Sequence, residues 1–514
     1  MNRRDVLKAG LVSAAGSLLA EPRLWAVPRF KSDPFQLGVA SGDPWPDSMV
    51  LWTRLAPEPL QPAGGMPPES VPVRWQIASD EHMANIIQEG TQIASPAWAH
   101  SVHVEVHNLQ PDRWYWYRFS AGEGASRIVS PTGRTRTAPA AHAAPADFRF
   151  AFVSCQKFES GYYTAIEHLC EEDLSLVLHL GDYIYETGPH ESVRPMPLAT
   201  SITLEDYRAR YAFYKMDPAL KQVHAQFPWA VVPDDHEVSN NYAGLIPAKP
   251  KEVAGFVERR AAAYRAYYEH MPLRASARPH NAYMTLYRTL RIGNLADFQM
   301  LDTRQFRTDQ PCGDGTKPSC PAREGPSTMM GDVQEAWLYG QLHAAQQESR
   351  RWNIVAQQVL FAQIDVGCGH EHEYMMDKWD GYAQARKRVV DRIVESRLQN
   401  VVILSGDNHN NWVLDVKEDP EDERSPVVAS EFSGTSLTSG GDGVDMPPEF
   451  PEVQAKNPQV KFHNSQRGYV RCSLTPTQMT ADYRIVPFVS RPGAPIQTRA
   501  TFVVESDRAG AVQS

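Results

Sequence analysis

"SLVLHLGDYIYE", residues 175–186, decides how this chain is read. Its first half is a short, nearly continuous apolar run, the mark of a strand buried on both faces of a sheet. Its second half turns polar, with Gly181, then Asp182, then Tyr185 three residues on. A lone acid after a strand commonly only caps a turn. In α/β sheets, however, the carboxyl ends of strands are where ligands and catalytic groups collect.

Three more apolar runs end the same way. "FRFAFVSC" closes on Ser154, Cys155 and Gln156, "AVVP" runs into Asp234, Asp235, His236 and Glu237, and "VVIL" ends at Ser405, Gly406, Asp407, Asn408 and His409. Four such ends are hard to explain as four caps; together they read as a metal site. Carboxylates suit hard cations, imidazole suits transition metals and thiolate is softer. A phenol deprotonates only near a pH of about 10 without help, so a tyrosine ligand points to an oxidised, strongly Lewis-acidic ion. Fe³⁺ fits Tyr with Asp and His, and the additional acids suit Ca²⁺, Mg²⁺ or Mn²⁺. Such ions hold phosphate oxygens, acidify water and stabilise both ends of an in-line displacement.

Outward from this centre the pattern is that of an α/β domain. From about residue 147 to 505, apolar strands such as "NLADFQMLDTR", "WNIVAQQVL" and "NVVILSGDNH" alternate with helical stretches at 251–270 and 382–397, and strand character returns beyond 468. This predicts a mixed sheet covered on both faces. Residues 35–140 instead predict an all-β unit. "SMVLWTRL", "VPVRWQIA", "SVHVEV" and "WYWYRFSA" are short alternating runs, and "LQPDRWYWYRF" resembles the strand entry of a fibronectin-III-like sandwich. The Ala/Pro-rich run 134–148 reads as a linker.

The formal net charge of −10 argues against a nucleic-acid-binding surface. Arg3-Arg4 precede an apolar run too short to span a bilayer, so residues 1–26 read as an export signal of twin-arginine type. The expected partner at this point is the twin-arginine export machinery, with no stable membrane insertion and a periplasmic or secreted location. Export permits disulfides, and Cys312 and Cys320, bracketing a turn-rich loop, are the best local pair among six cysteines.

Taken in order, "GVASGDPWPDSMVLWTRL", "FVSCQKFESGYY", "HLGDYIYE", "DDHEVSNNYAG", "LDTRQFR", "WDGY", "LSGDNHNNW" and "EFSGTSLTSGG" resemble the PhoD-type alkaline phosphatase/phosphodiesterase family over residues 35–470. The resemblance implies a β-sandwich followed by an α/β metallophosphoesterase-like core, related to purple acid phosphatases. It also implies a site of Fe³⁺ and Ca²⁺ acting on phosphomonoesters and phosphodiesters, with a metal-bound oxygen as nucleophile. Cys155, Asp182, Tyr185 and His409 would ligate iron. Asp182 would bridge to a second metal, and Asp235, Asp407 and either Asn240 or Asn241 would hold calcium. His236 is expected to face the substrate and protonate the leaving oxygen. Arg304 is expected either to clamp phosphate or to form an internal salt bridge. Asp234 is placed behind the ligands, Trp379 and Asp380 on the pocket wall, and His179 and Cys170 in the core. A phospholipase-D-like phosphodiesterase and a non-catalytic binding protein are the rival readings.

Overall fold

The computed structural model describes residue 30 and residues 32–188, 193–367, 369–448 and 450–514. The expected export signal, residues 1–26, and Cys368 lie outside the described residues.

Two sheets face each other. The first has ten strands, and its centre is the parallel set Phe148–Val153, Leu176–His179, Pro228–Val231 and Val39–Gly42. The second has seven, with Ala296–Met300, Trp352–Ala356, Val401–Ser405 and Val427–Ser433 parallel at its centre. The period-2 geometry of a strand divides each sequence between two environments. Phe148, Phe150 and Phe152, with Leu176, Leu178, Ala230 and Val232, turn inward onto Phe298, Met300, Ile354, Val402 and Leu404 of the other sheet. The rings of Phe150 and Phe298 meet edge to face with centroids 5.0 Å apart. The intervening Ala151, Val153, Val177 and Val231 face outward, under the helices Leu204–Lys215, Pro218–Gln226 and Phe256–His270. On the far side Val355, Val401 and Ile403 pack beneath Gly331–Gln347 and Ala383–Glu395. The result is helices, sheet, sheet, helices, in which both sheets are apolar on both faces, as the uninterrupted apolar runs required.

The four amino-terminal runs are strands, at Met49–Arg54, Val71–Ala78, Ser101–Val106 and Trp114–Ala121. They divide between sheets. Val71–Ala78 and Trp114–Ala121 lie in a separate five-stranded sheet, whereas Val39–Gly42, Met49–Arg54 and Ser101–Val106 continue the large sheet beyond Pro228–Val231. A sandwich core of Val39, Leu51, Val104, Val73, Tyr117 and Phe119 fills the space between them. The amino-terminal sandwich therefore shares one of its sheets with the α/β region, and the run 134–148 opens as strand Gly133–Arg136 before its Ala/Pro-rich part. Cys312 and Cys320 form a disulfide, and Cys170 is core.

Candidate metal centre

Three of the strand ends belong to the first sheet and one, after Val401–Ser405, to the second, so the centre lies at one rim of the sheet pair. The loops after these strands bend abruptly. Cys155, Asp182, Asn241, Asp407 and His409 all have φ between 51° and 60°, a left-handed conformation that L-residues adopt at a cost. Five residues from the expected ligand set in one sparsely populated region mark a site where the surrounding structure enforces backbone strain.

That enforcement is visible. Cys155 N donates to Gly181 O at 3.1 Å, and Gln156 N donates to Asp182 O at 3.0 Å, so the first two loops run side by side. The buried Glu237 carboxylate accepts N–H bonds from Asp182 at 3.1 Å and Asp234 at 2.7 Å, and from Tyr183, tying the second loop to the third. Gly181, at φ +106°, could be no other residue: a Cβ there would lie 2.3 Å from the Asp234 Cβ.

The ligand atoms converge into three overlapping groups, each with its members within 4.8 Å of one another: Cys155, Asp182 and His409; Asp182, Asp235 and His236; and Asp182, Asp234, Asp235 and Asp407. Asp182 belongs to all three. Tyr185 joins the first group, since its Oη donates to Asp182 Oδ2 at 2.8 Å and lies 3.1 Å from His409 Nε2. Ser439 Oγ sits 2.7 Å from both Cys155 O and Tyr185 Oη and closes this side.

The electrostatics call for cations. Burial pushes Asp182 well above the usual carboxylate range; His236 opposes this, while Asp235, Asp234 and Glu237 push it further. Burial, then the Asp182 charge, likewise raises the Cys155 thiol and the Tyr185 phenol. His409 is pushed down to about 3, first by burial and then by Arg467, so its imidazole is neutral and free to ligate. Asp234 Oδ2 and Asp235 Oδ1 have no hydrogen-bond partner among the described residues. Crowded acids with unpaired oxygens beside a thiol, a phenol and a neutral imidazole fit metal ions, which would release the protons and satisfy the oxygens.

The supporting groups are in part ones that sequence reading passed over. Arg304 is completely buried. It bonds Asp234, lies 2.8 Å from Asp377 Oδ2, and stands 3.7 Å from Asp235 and 3.8 Å from Asp407. This is the internal salt-bridge arrangement, beneath the acids. Lys378 meets Asp407, and the side chains of Lys378, Asp407 and His236 keep 11%, 11% and 14% exposure at the mouth of the site. Glu186 also went unassigned, although it ends the opening motif. Its Oε2 lies 2.6 Å from His236 Nδ1 and its Oε1 accepts the Asn240 N–H at 3.0 Å. His236 lies over the Tyr185 ring at 4.1 Å. Burial lowers its pKa, but Glu186, Asp235 and Asp182 together raise it to about 10. Arg467 binds the His409 carbonyl and the Gly441 carbonyl, fixing the fourth loop. Nothing in the local pattern around Glu186, Lys378 or Arg467 sets them apart from ordinary surface charge; only their partners do.

Of the two asparagines, Asn241 donates its backbone N–H to Asp235 Oδ2 at 2.6 Å and its side-chain amide to Asp314 at 2.7 Å, while Asn240 is held through its backbone by Glu186. Trp379 and Asp380, expected on the wall, lie in the core: Trp379 Nε1 donates to Gln357 and Asp380 pairs with Arg386. His179 packs against Tyr183 and accepts the Gly181 N–H at 3.3 Å, as a core histidine.

The chain is similar to known phosphatases. Residues 150–483 match the family described as PhoD-like phosphatase, and residues 20–139 match the family described as PhoD-like phosphatase, N-terminal domain. Alkaline phosphatase D of Bacillus subtilis (strain 168) is 50% identical over 492 residues, covering 94% of this chain and 83% of that protein. A solved structure of PhoD superposes with a TM-score of 0.92 at 50% identity, over 95% of this chain and 93% of that one. A purple acid phosphatase from yellow lupin seeds shares the fold at a TM-score of 0.57 and 11% identity, over 91% of this chain and 74% of that one.

Proposed function

Because the chain belongs to the PhoD-like phosphatase family and is a metal-dependent phosphoesterase, we propose that it hydrolyses both phosphomonoesters and phosphodiesters at an Fe³⁺–Ca²⁺ centre. Cys155, Asp182, Tyr185 and His409 would hold the iron, and Asp235, Asp407 and Asn241 would hold calcium, with Asp182 available to both. The observation that carries this reading is the membership of Asp182 in all three ligand groups, which is the position of an acid shared by two ions. When bound, the ions supply Lewis acidity toward phosphoryl oxygens and lower the pKa of water.

The chain's own residues do the rest. His236 commits Nδ1 to Glu186, which leaves Nε2 for the substrate, and its exposure at the mouth lets it deliver a proton to the departing alcohol. Lys378, at the same mouth, offers a cation to a non-bridging phosphate oxygen. Arg304, wholly enclosed, orients Asp234 and the ligand acids rather than touching substrate. In this reading the net negative charge of the chain is no obstacle to an anionic substrate, because the local field is set by the ions and these cations.

The test is phosphate release from 4-nitrophenyl phosphate and bis(4-nitrophenyl) phosphate, with elemental analysis of the same preparation. Asp182→Ala is expected to lose both activities and both metals. Full activity in metal-free protein, or zinc in place of iron, would overturn the reading.

The expected route is twin-arginine export of the folded, metal-loaded chain to the periplasm or beyond. The Cys312–Cys320 disulfide supports an oxidising destination. Among the described residues no helix is long and apolar enough to cross a membrane.

A further inference from the structure

The loop closed by Cys312–Cys320 stands at the edge of the metal centre, and nothing in the reaction described above uses it. Asp314 sits at its tip, between Gly313 and Gly315, both at positive φ (83° and 84°). Its Oδ1 accepts the side-chain amide N–H of Asn241 at 2.7 Å. A second arm of the same segment, Gln310 Nε2, donates to Asn241 O at 3.0 Å and to Asp377 Oδ1 at 2.8 Å. Beyond Asp314, strand Thr316–Pro318 pairs antiparallel with Glu373–Met375, and Met376 N donates to Gly315 O at 2.9 Å. That pairing leads directly to Asp377 and Lys378, which contact Arg304 and Asp407. The covalently closed loop thus grips the Asn241 side chain through Asp314, Gln310 just before the loop holds the Asn241 carbonyl, and the loop's strand steadies the segment that carries Asp377 and Lys378.

The chemistry of the grip is directional. A carboxylate accepts hydrogen bonds and cannot donate them, so Asp314 dictates that the nitrogen end of the Asn241 amide faces it. The end left over is the carbonyl oxygen, the donor atom a hard cation takes. It belongs to the residue whose backbone N–H already holds Asp235 Oδ2 at 2.6 Å. An amide free to rotate would offer oxygen part of the time and an N–H dipole of the wrong sign otherwise. Two glycines make the tip pliable, and the disulfide, spanning eight positions, removes most of the conformations that would carry Asp314 away.

We propose that Asp314 is a positioning residue for calcium, and that the Cys312–Cys320 loop exists to hold it there. The proposal rests on the assignment of Asn241 and Asp235 to calcium made above. It is tested by stripping the iron-loaded protein with EGTA, titrating calcium chloride, and reading calcium binding by the rise in thermal midpoint and by equilibrium dialysis. Asp314→Ala is expected to raise the half-saturating calcium concentration about tenfold, the scale of one lost charge-assisted hydrogen bond. Iron content stays unchanged. Asp314→Asn, whose amide oxygen still accepts from Asn241, is expected to stay within about twofold of the parent. Cys312→Ser/Cys320→Ser is expected to weaken calcium binding several-fold. Equal weakening by Asp314→Ala and Asp314→Asn would mean that charge alone matters and would overturn the positioning role. No weakening by Asp314→Ala, with calcium lost in Asp235→Ala, would overturn the loop's role and leave the site assignment standing. Calcium binding undisturbed in Asp235→Ala would overturn the site assignment itself.

Discussion

Lys215 ends the helix Leu204–Lys215 with its side chain driven into the interior, where the residue is only 2% exposed. Its ammonium lies over the Trp52 ring at 4.5 Å and the Tyr183 ring at 5.3 Å, and no carboxylate pairs with it among the described residues. Burial lowers its pKa from 10.5 to about 7. The unfolded chain keeps the ordinary value, so between pH 7 and 10.5 the unfolded state binds more protons than the folded one. Stability therefore rises with pH across that window, and the full cost of the buried amine is present below pH 7. A depression of that size corresponds to about 5 kcal/mol, with about 3 kcal/mol recovered between pH 7 and 9.5. Lys215→Met keeps the stem and removes the titration. Unfolding entropy for a chain of this length is about 1 kcal/mol per kelvin, so the variant's advantage in thermal midpoint should shrink by about 3 °C from pH 7 to pH 9.5. The assay is differential scanning calorimetry of both holoproteins at the two pH values. An advantage that is the same at both would show that the amine is not the desolvated base its surroundings imply.

The other expectations concern the centre. Gly181→Ala forces a Cβ onto Asp234 in a backbone conformation that disfavours it, so metal content and phosphatase activity should fall together while far-ultraviolet circular dichroism keeps the parent spectrum. Arg304→Met leaves Asp234 and Asp377 buried without their common cation, which should cost about 3–5 kcal/mol and appear as a lowered thermal midpoint or as insoluble protein. An Arg304→Met enzyme of normal stability with only a raised KM would instead restore the phosphate-clamp role. Glu186→Gln should lower kcat with little change in KM, and more for alkyl than for nitrophenyl esters, because poor leaving groups depend most on the His236 proton. Metal uptake by apoprotein should strengthen as pH rises, since the Cys155 thiol and Tyr185 phenol are both held above their ordinary values and must give up protons to bind; a flat profile in equilibrium dialysis would contradict their ligation.

Much of this centre is legible along the chain because its ligands come in short runs at strand ends. Apolar alternation locates the strands, the polarity break locates their carboxyl termini, and the residue types there narrow the ion. The helpers are a different matter. Glu186 and His236 lie 50 positions apart, Arg304 and Asp234 lie 70 apart, and Asn241 and Asp314 lie 73 apart. No periodicity relates such pairs. Trp379 and Asp380 differ: their partners Gln357 and Arg386 are only 22 and 6 positions away, but the motif does not show that both side chains turn inward, to the core rather than the wall.

Where strands run, which of them are buried on both faces and which side chains stand at their ends are properties of neighbouring residues and of the period-2 backbone, and are legible along the chain. How the strands are shared out is settled by packing alone. Packing set Val39–Gly42, Met49–Arg54 and Ser101–Val106 into the large sheet instead of closing a separate sandwich, and brought the loop after Val401–Ser405 of one sheet against three loops of the other. It also decided which acids are paired and which are left for an ion. Those outcomes depend on packing between segments hundreds of residues apart, where burial turns an ordinary carboxylate, lysine or glycine into one with a single permitted role.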